Sequence, residues 1–377
     1  MKNFYHRVLS GGIIYATFLL MVVFINSSPA GVGDKLPVVT AEAIAPPDPL
    51  FDRVVARGIE LTFNDRYEES LALFDSLVQA YPNHPAPYFF RSATYQNWMS
   101  SYRFNKFQKE VEENVQTVID LAGKMLKEKD DPWLHFYIGA AYGYRGFNRF
   151  RKHNWLGAYK DAKRGVGNFE KALLADSTLY DVYLGLGSYY YWRTAKSKFL
   201  RLITFWMRDK RELGLKQLRF AIEHGRYAPN EASYVLLMAL FNEKKYADAE
   251  VILEEILSRK KTSSLSDYYF RGRLVAQSGN WPEVETAFRT ILNKIENYKF
   301  TSIGYQVECK YWIARAVSEQ GHKAQALQIA REAQLQSKQR NKEEEIESII
   351  ENFGQIKKNL EKLIKELKKA NRKSVGS

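Results

Sequence analysis

An all-α solenoid of stacked helical hairpins is the fold class predicted by this 377-residue sequence, and three observations predict it. A small residue recurs at one place in a helix-turn-helix pattern, at Gly58, Ser92, Gly139, Gly187, Gly272 and Ala314, with Leu237 in the same slot of a further copy. Apolar residues follow the slot at three- and four-residue steps, the period of a helix with one buried stripe. In the clearest copy, residues 230–261, Leu236, Leu237 and Leu240 lie on a first helix, and Tyr246, Ala249, Leu253 and Ile256 continue on a second. The seventh copy repeats the scheme with Ile313, Ala314, Val317, Gly321, Ala326, Ala330 and Ala333. Finally, the chain closes on a heptad run. Stacked units of this kind bury surface only against their neighbours, so one long domain is expected over residues 51–336 rather than two ordinary ones.

The elements follow in order. Residues 1–30 read as an export signal, with Lys2, His6 and Arg7 at a basic start, an apolar run over 8–25 and a small-x-small site at Ser28 and Ala30. That run is longer than the roughly 7–15 residues of a cleaved signal, so an uncleaved inner-membrane anchor stands beside the signal peptide as a reading. Residues 31–50, with Pro37, Pro46, Pro47 and Pro49, read as an extended linker. Within the solenoid, Gly58 to Ser92 is 34 residues and Leu237 to Gly272 is 35, whereas the three central steps are 47, 48 and 50. The excess adds roughly two turns to each helix of the central hairpins, entering at the inner turn. At the C-terminus Ile346, Ile349, Phe353, Ile356, Leu360, Leu363 and Leu367 form a heptad seam. Residues 337–370 are therefore expected to be a capping or coiled-coil helix, opened by Glu343, Glu344 and Glu345 and closed by Lys365, Lys368 and Lys369 in accord with the helix dipole. Residues 371–377 are expected to be a disordered tail.

Charge is unevenly placed. Residues 143–226 carry 18 Lys or Arg against 7 Asp or Glu, while the whole chain has a net charge of only +13. The central insertions, about 96–112, 143–164 and 188–213, alternate basic and aromatic residues. Three readings stand: long packed helices with solvated charges, an anionic membrane surface, and nucleic acid. The membrane reading rests on Lys196, Phe199, Arg201, Phe205, Trp206, Arg208 and Lys210, an apolar stripe with basic flanks as interfacial helices require. An export signal argues against nucleic acid.

Catalytic constellations are not found. The six histidines are scattered, with no pair at i, i+4 spacing, and no phosphate loop or nucleophile elbow occurs. The lone cysteine, Cys309, excludes an intramolecular disulfide and a cysteine metal cluster. No catalytic residue, metal or cofactor is expected.

The repeated slot, the aromatics Tyr67, Tyr246 and Trp281 after the turn, and the closing prolines Pro82 and Pro132 together resemble the tetratricopeptide repeat, a 34-residue helical hairpin that stacks into a superhelix. The resemblance covers residues 51–334 in about seven hairpins. It implies peptide binding in a concave groove lined by first helices. On that scheme Phe89, Phe136, Tyr234, Tyr269 and Tyr311 take successive fifth positions, and Tyr191, Trp192, Asn242, Arg273 and Arg315 fall at other groove positions. The alternative is that these aromatics fill a tight superhelix against one another. The family's carboxylate clamp of Lys and Asn is missing, because those positions hold aromatics followed by Ala93, Ala140, Met238, Arg273 or Arg315. The runs 184–187, 189–192 and 223–227 further resemble exported bacterial tetratricopeptide proteins of no assigned activity. The expected function is a non-enzymatic protein-interaction scaffold of the bacterial cell envelope with a peptide or protein partner, and without nucleic acid. The alternative is a peripheral protein on anionic lipid.

Overall fold

The computed structural model describes residues 31–375 except 47, 196–208 and 349. Fifteen α-helices and no strand are found among them, in the order α1 (Pro49–Phe63), α2 (Tyr67–Ala80), α3 (Pro85–Tyr102), α4 (Gln108–Met125), α5 (Pro132–Arg151), α6 (Trp155–Ala175), α7 (Val182–Ala195), α8 (Arg211–His224), α9 (Pro229–Asn242), α10 (Tyr246–Ser258), α11 (Leu265–Ser278), α12 (Trp281–Glu296), α13 (Ile303–Glu319), α14 (Lys323–Gln336) and α15 (Phe353–Val375). The first fourteen pair into the seven hairpins that the sequence predicts, and α15 follows them. Two compact units result. One comprises the residues up to Asp52 with Leu77–Phe89 and Glu113–Leu236, and the other comprises Arg53–Ser76, Phe90–Glu112 and the chain from Leu237 onward.

The small-residue slot is where the two helices of a hairpin meet. A Cβ on Gly187 of α7 would stand 2.8 Å from the carbonyl oxygen of Gly214 on α8, and a Cβ on Gly214 would stand 2.7 Å from that of Gly187. Backbones touching at that distance leave room for no side chain, which is why the slot is glycine in this hairpin. Gly58 of α1 receives the Phe74 ring of α2 in the same way.

The inner turns share a second rule. One residue in each described turn adopts a left-handed conformation: Asp65 (φ 59°), Arg103 (58°), His153 (58°), Lys244 (60°), Gly279 (77°) and Gly321 (92°). Tyr67, Trp155, Tyr246 and Trp281 each begin a second helix two residues later. A non-glycine residue in this conformation costs ~1 kcal/mol or more. Lys244 is exposed, so Lys244→Gly is expected to raise stability by about 1 kcal/mol, read as an upward shift of the urea midpoint. A fall in the midpoint would mean that the Lys244 side chain contributes more than the turn strain.

Hairpin lengths follow the spacing. Helices α3 and α4 have 18 residues each, α5 and α6 have 20 and 21, and α1 and α2 have 15 and 14. The aromatics of the first insertion do not face solvent. Trp98 and Phe104 are buried, and the Trp98 indole N–H donates to the Tyr298 hydroxyl at 2.7 Å. Tyr102 stacks on Tyr298 with ring centroids 3.8 Å apart. Burial pushes the Tyr298 phenol up to about 12.

Two predicted boundaries are corrected. Residues 31–46 are not a free linker, because their backbone is taken up by side chains of the first unit. The Gln217 amide donates to the Gly33 carbonyl at 2.7 Å, the Thr40 N–H donates to the Tyr180 hydroxyl at 3.0 Å, and that hydroxyl donates to the Ala41 carbonyl at 2.9 Å. Asp34 binds Tyr190 and Lys210. Burial alone would raise the Asp34 carboxyl, but these two bonds outweigh it and hold it below 3.8.

The C-terminal helix begins at Phe353, not near 337, and it runs on through Val375 rather than fraying at 371. The heptad pattern reads helix across 343–352, but Glu343, Glu347 and Glu351 would stand at like-charge i, i+4 spacing there. Ile346 belongs to an irregular segment instead. From Ile356 onward the seam is buried, with Ile356 at 0%, Leu360 at 1% and Leu367 at 2% exposure, against α13 and α14. The helix caps the last hairpin, as one of the two predicted readings has it.

Candidate functional site

Of the ten groove residues expected from the sequence, six lie in the interior: Phe89, Phe136, Tyr191, Tyr269, Tyr311 and Arg273. In the first unit Phe89 and Phe136 pack edge to face at 5.8 Å, and Phe136 reaches the Phe169 ring at 6.2 Å. Tyr191 packs on Trp192 at 4.8 Å beside the Gly187–Gly214 crossing. These rings fill space between helices and are corrected from open-groove contacts to packing residues. Trp192 and Tyr234 are half-buried, Asn242 is exposed, and Arg315 is half-exposed with an ion pair to Glu319 at 2.8 Å. Of the membrane-surface set, Lys196, Phe199, Arg201, Phe205, Trp206 and Arg208 lie outside the described residues. Lys210 is held by Asp34.

The densest chemistry of the second unit is a buried charge cluster on the first helices α11 and α13. Glu308 of α13 accepts a hydrogen bond from the Tyr269 hydroxyl at 2.9 Å and pairs with Arg103. The Arg103 guanidinium lies over the rings of Tyr305 at 3.8 Å and Tyr269 at 4.8 Å. Its left-handed backbone, at the inner turn of the second hairpin, aims it there. Burial disfavours its charge, and the neighbouring Glu308 carboxylate more than restores it, so its pKa is raised. Arg273, one turn after Tyr269, donates to the Tyr269 hydroxyl at 2.9 Å and stands 3.3 Å from Glu351. Burial raises the Glu351 carboxyl against the pull of Arg273.

The described residues of segment 343–351 of the same chain, all but 349, lie on this face. Phe104 and Glu345 form an antiparallel bridge. The Asn105 N–H donates to the Glu344 carbonyl at 2.8 Å, and the Ile346 N–H donates to the Arg103 carbonyl at 3.0 Å. The Asn105 side chain reaches the Glu343 carbonyl at 3.2 Å. The Glu345 carboxylate is buried at the N-terminus of α13, where it accepts the Gly304 N–H at 3.0 Å, and Arg340 donates to it at 2.8 Å. A Cβ on Gly304 would stand 2.5 Å from that carboxylate. Between segment and helices remains a cavity that holds about 10 Å³ of water-sized space, roughly one water molecule.

Sequence reasoning placed Tyr269 and Arg273 together and missed Arg103, Gly304, Glu308 and Glu345. One signal was present for Glu308: a carboxylate flanked by Val307 and Cys309 and spaced with the buried stripe of its helix. Among the described residues no group of His, Cys, Asp or Glu has the arrangement of a metal site, and no helix is long and apolar enough to cross a membrane.

No protein-family model matches the chain, and no curated protein sequence does. Similar solved structures include the C-terminal part of a TPR repeat-containing protein from Cytophaga hutchinsonii, at 17% identity over 76% of this chain and 96% of that one, with a TM-score of 0.35. Yeast Tom70 is similar at 11% identity over 86% of this chain and 90% of its own, with a TM-score of 0.31. By its own architecture the chain is an all-α solenoid of seven helical hairpins, similar to tetratricopeptide-repeat proteins.

Proposed function

We propose that this protein is a non-enzymatic interaction scaffold of the bacterial cell envelope that takes a peptide or protein partner on the first-helix faces of its hairpins. The observation that carries this reading is that such a face already holds a stretch of chain, segment 343–351, through both backbone and carboxylate contacts. Rigid helices with aromatic anchors and guanidinium groups suit that task. The basic start, apolar run and small-x-small site of residues 1–30 support export to the envelope.

Asn242 and Arg315 are the accessible members of the expected groove set in the second unit. A photo-crosslinking side chain placed at either position, in cells, is expected to give discrete protein adducts in the envelope fraction. The same probe at Thr286, exposed on the second helix α12, serves as the control. Adducts at 242 and 315 no stronger than at 286 would rule the scaffold reading out for this face.

A further inference from the structure

The face that carries segment 343–351 has the features of a receptor rather than those of a covalent hinge alone. Three of its contacts are to main chain and are blind to sequence: Asn105 N–H to the Glu344 carbonyl, Ile346 N–H to the Arg103 carbonyl, and the Asn105 amide to the Glu343 carbonyl. Two contacts select carboxylates. Gly304 offers its N–H at the start of a 17-residue helix with no Cβ in the way, so the Glu345 carboxylate approaches to 3.0 Å. Arg273 takes Glu351 six residues further on, at 3.3 Å. Without the segment, Arg103 and Arg273 would share the single carboxylate of Glu308 in a buried setting. A low-dielectric site with two guanidinium groups and one carboxylate favours a second carboxylate.

The occupant, in contrast, anchors at a few points, with Glu345 and Ile346 buried, and carries no regular element of its own. Glu343, Glu344 and Glu347 are exposed, and none of the described residues between Arg340 and the start of α15 belongs to a helix. We propose that this face is a binding site for acidic, non-helical peptide segments, and that segment 343–351 is an internal occupant displaced by an acidic segment of another protein. The proposal rests on the scaffold reading and names its partner chemistry: a flexible stretch with two carboxylates six residues apart. Because the internal segment is tethered, it competes at an effective concentration on the order of millimolar. Wild-type protein should therefore bind such a partner weakly until the segment is released.

The test uses the full chain and a fluorescein-labelled synthetic peptide with the sequence of residues 341–352, read by anisotropy. The double variant Glu345→Gln/Glu351→Gln is expected to bind this peptide at least tenfold more tightly than wild type. A peptide with the same two glutamates replaced by glutamine should not bind, and adding Gly304→Val to the double variant should abolish binding. A folded double variant that ignores the peptide, or that binds both peptides equally, overturns the proposal and leaves 343–351 as a structural connection. Should the double variant fail to fold, wild-type protein with millimolar peptide decides by hydrogen exchange. The Ile346 amide should then lose protection while Asn105 and Gly304 keep theirs, and an unchanged Ile346 overturns the proposal. The crosslinks at 242 and 315 do not depend on this segment, so the scaffold reading stands or falls separately.

Discussion

Asp181→Ala is expected to lower the stability of the chain by about 2–6 kcal/mol, because it strips the partner from two buried backbone donors at ~1–3 kcal/mol each and from a third that is part-buried. The Asp181 carboxylate, 1% exposed, accepts the N–H of Arg226 at 3.0 Å on one oxygen. Its other oxygen accepts those of Tyr227 at 2.6 Å and Ala228 at 2.7 Å. These donors sit just before α9, where a chain entering a helix has no partners of its own. Burial raises the Asp181 carboxyl above 3.8, and the three backbone bonds pull against that. A carboxyl with a raised folded pKa binds protons more readily folded than unfolded, so its contribution to stability weakens as pH rises from 3.8 through the folded value. Asp181→Asn keeps one acceptor oxygen, enough for Tyr227 and Ala228, and turns an amide group toward Arg226. It should therefore lose markedly less than the alanine variant. Urea unfolding of the three proteins at neutral pH checks the order, and an alanine variant within about 1 kcal/mol of wild type would mean that water takes over the donors.

Glu308→Leu is expected to cost about 3–5 kcal/mol, the usual penalty for breaking a buried ion pair from one side. Arg103 would keep its place over Tyr305 and Tyr269 with no counter-charge, and Arg273 would keep only Glu351. Arg103→Met/Glu308→Leu should recover most of that loss, since removing both charges also removes their desolvation. The double-mutant cycle measured by urea unfolding reads the coupling directly. A double variant as unstable as the single would locate the damage in packing around Tyr305 instead.

The regular part of the solenoid was legible because its physics is local. Contact between the backbones of Gly187 and Gly214 forces glycine into a fixed slot, and four of the six described left-handed turns have an aromatic two residues on, so both leave a period in the sequence. The candidate site was only half legible. Tyr269 and Arg273 follow from the helical register, but their partners Arg103 and Glu351 come from an inner turn far upstream and an irregular stretch far downstream. Arg103 stands in a basic-aromatic insertion whose composition matches a solvated edge equally well, and nothing local shows that Trp98 meets Tyr298. The C-terminal segment misled for a different reason. Its isoleucines continue the spacing of α15, and periodicity does not register the repulsion between glutamates or the Gly304 N–H waiting for one of them.

The uniform inner turn has a consequence for how such a chain can change length. In five of the six described turns the second helix starts two residues after the same left-handed kink, so there the kink sets how the second arm leaves the first whatever their reach. Seven residues make nearly two full turns, with a drift of only about 20°. Arms that lengthen together by such a block carry their crossing glycines back to nearly the same bearing. In the third copy only the second arm, 21 residues beside the 14 of the first copy, grows by such a block, while its first arm goes from 15 to 20. A single residue added to one arm, by contrast, turns the face beyond it by about 100° relative to the other arm.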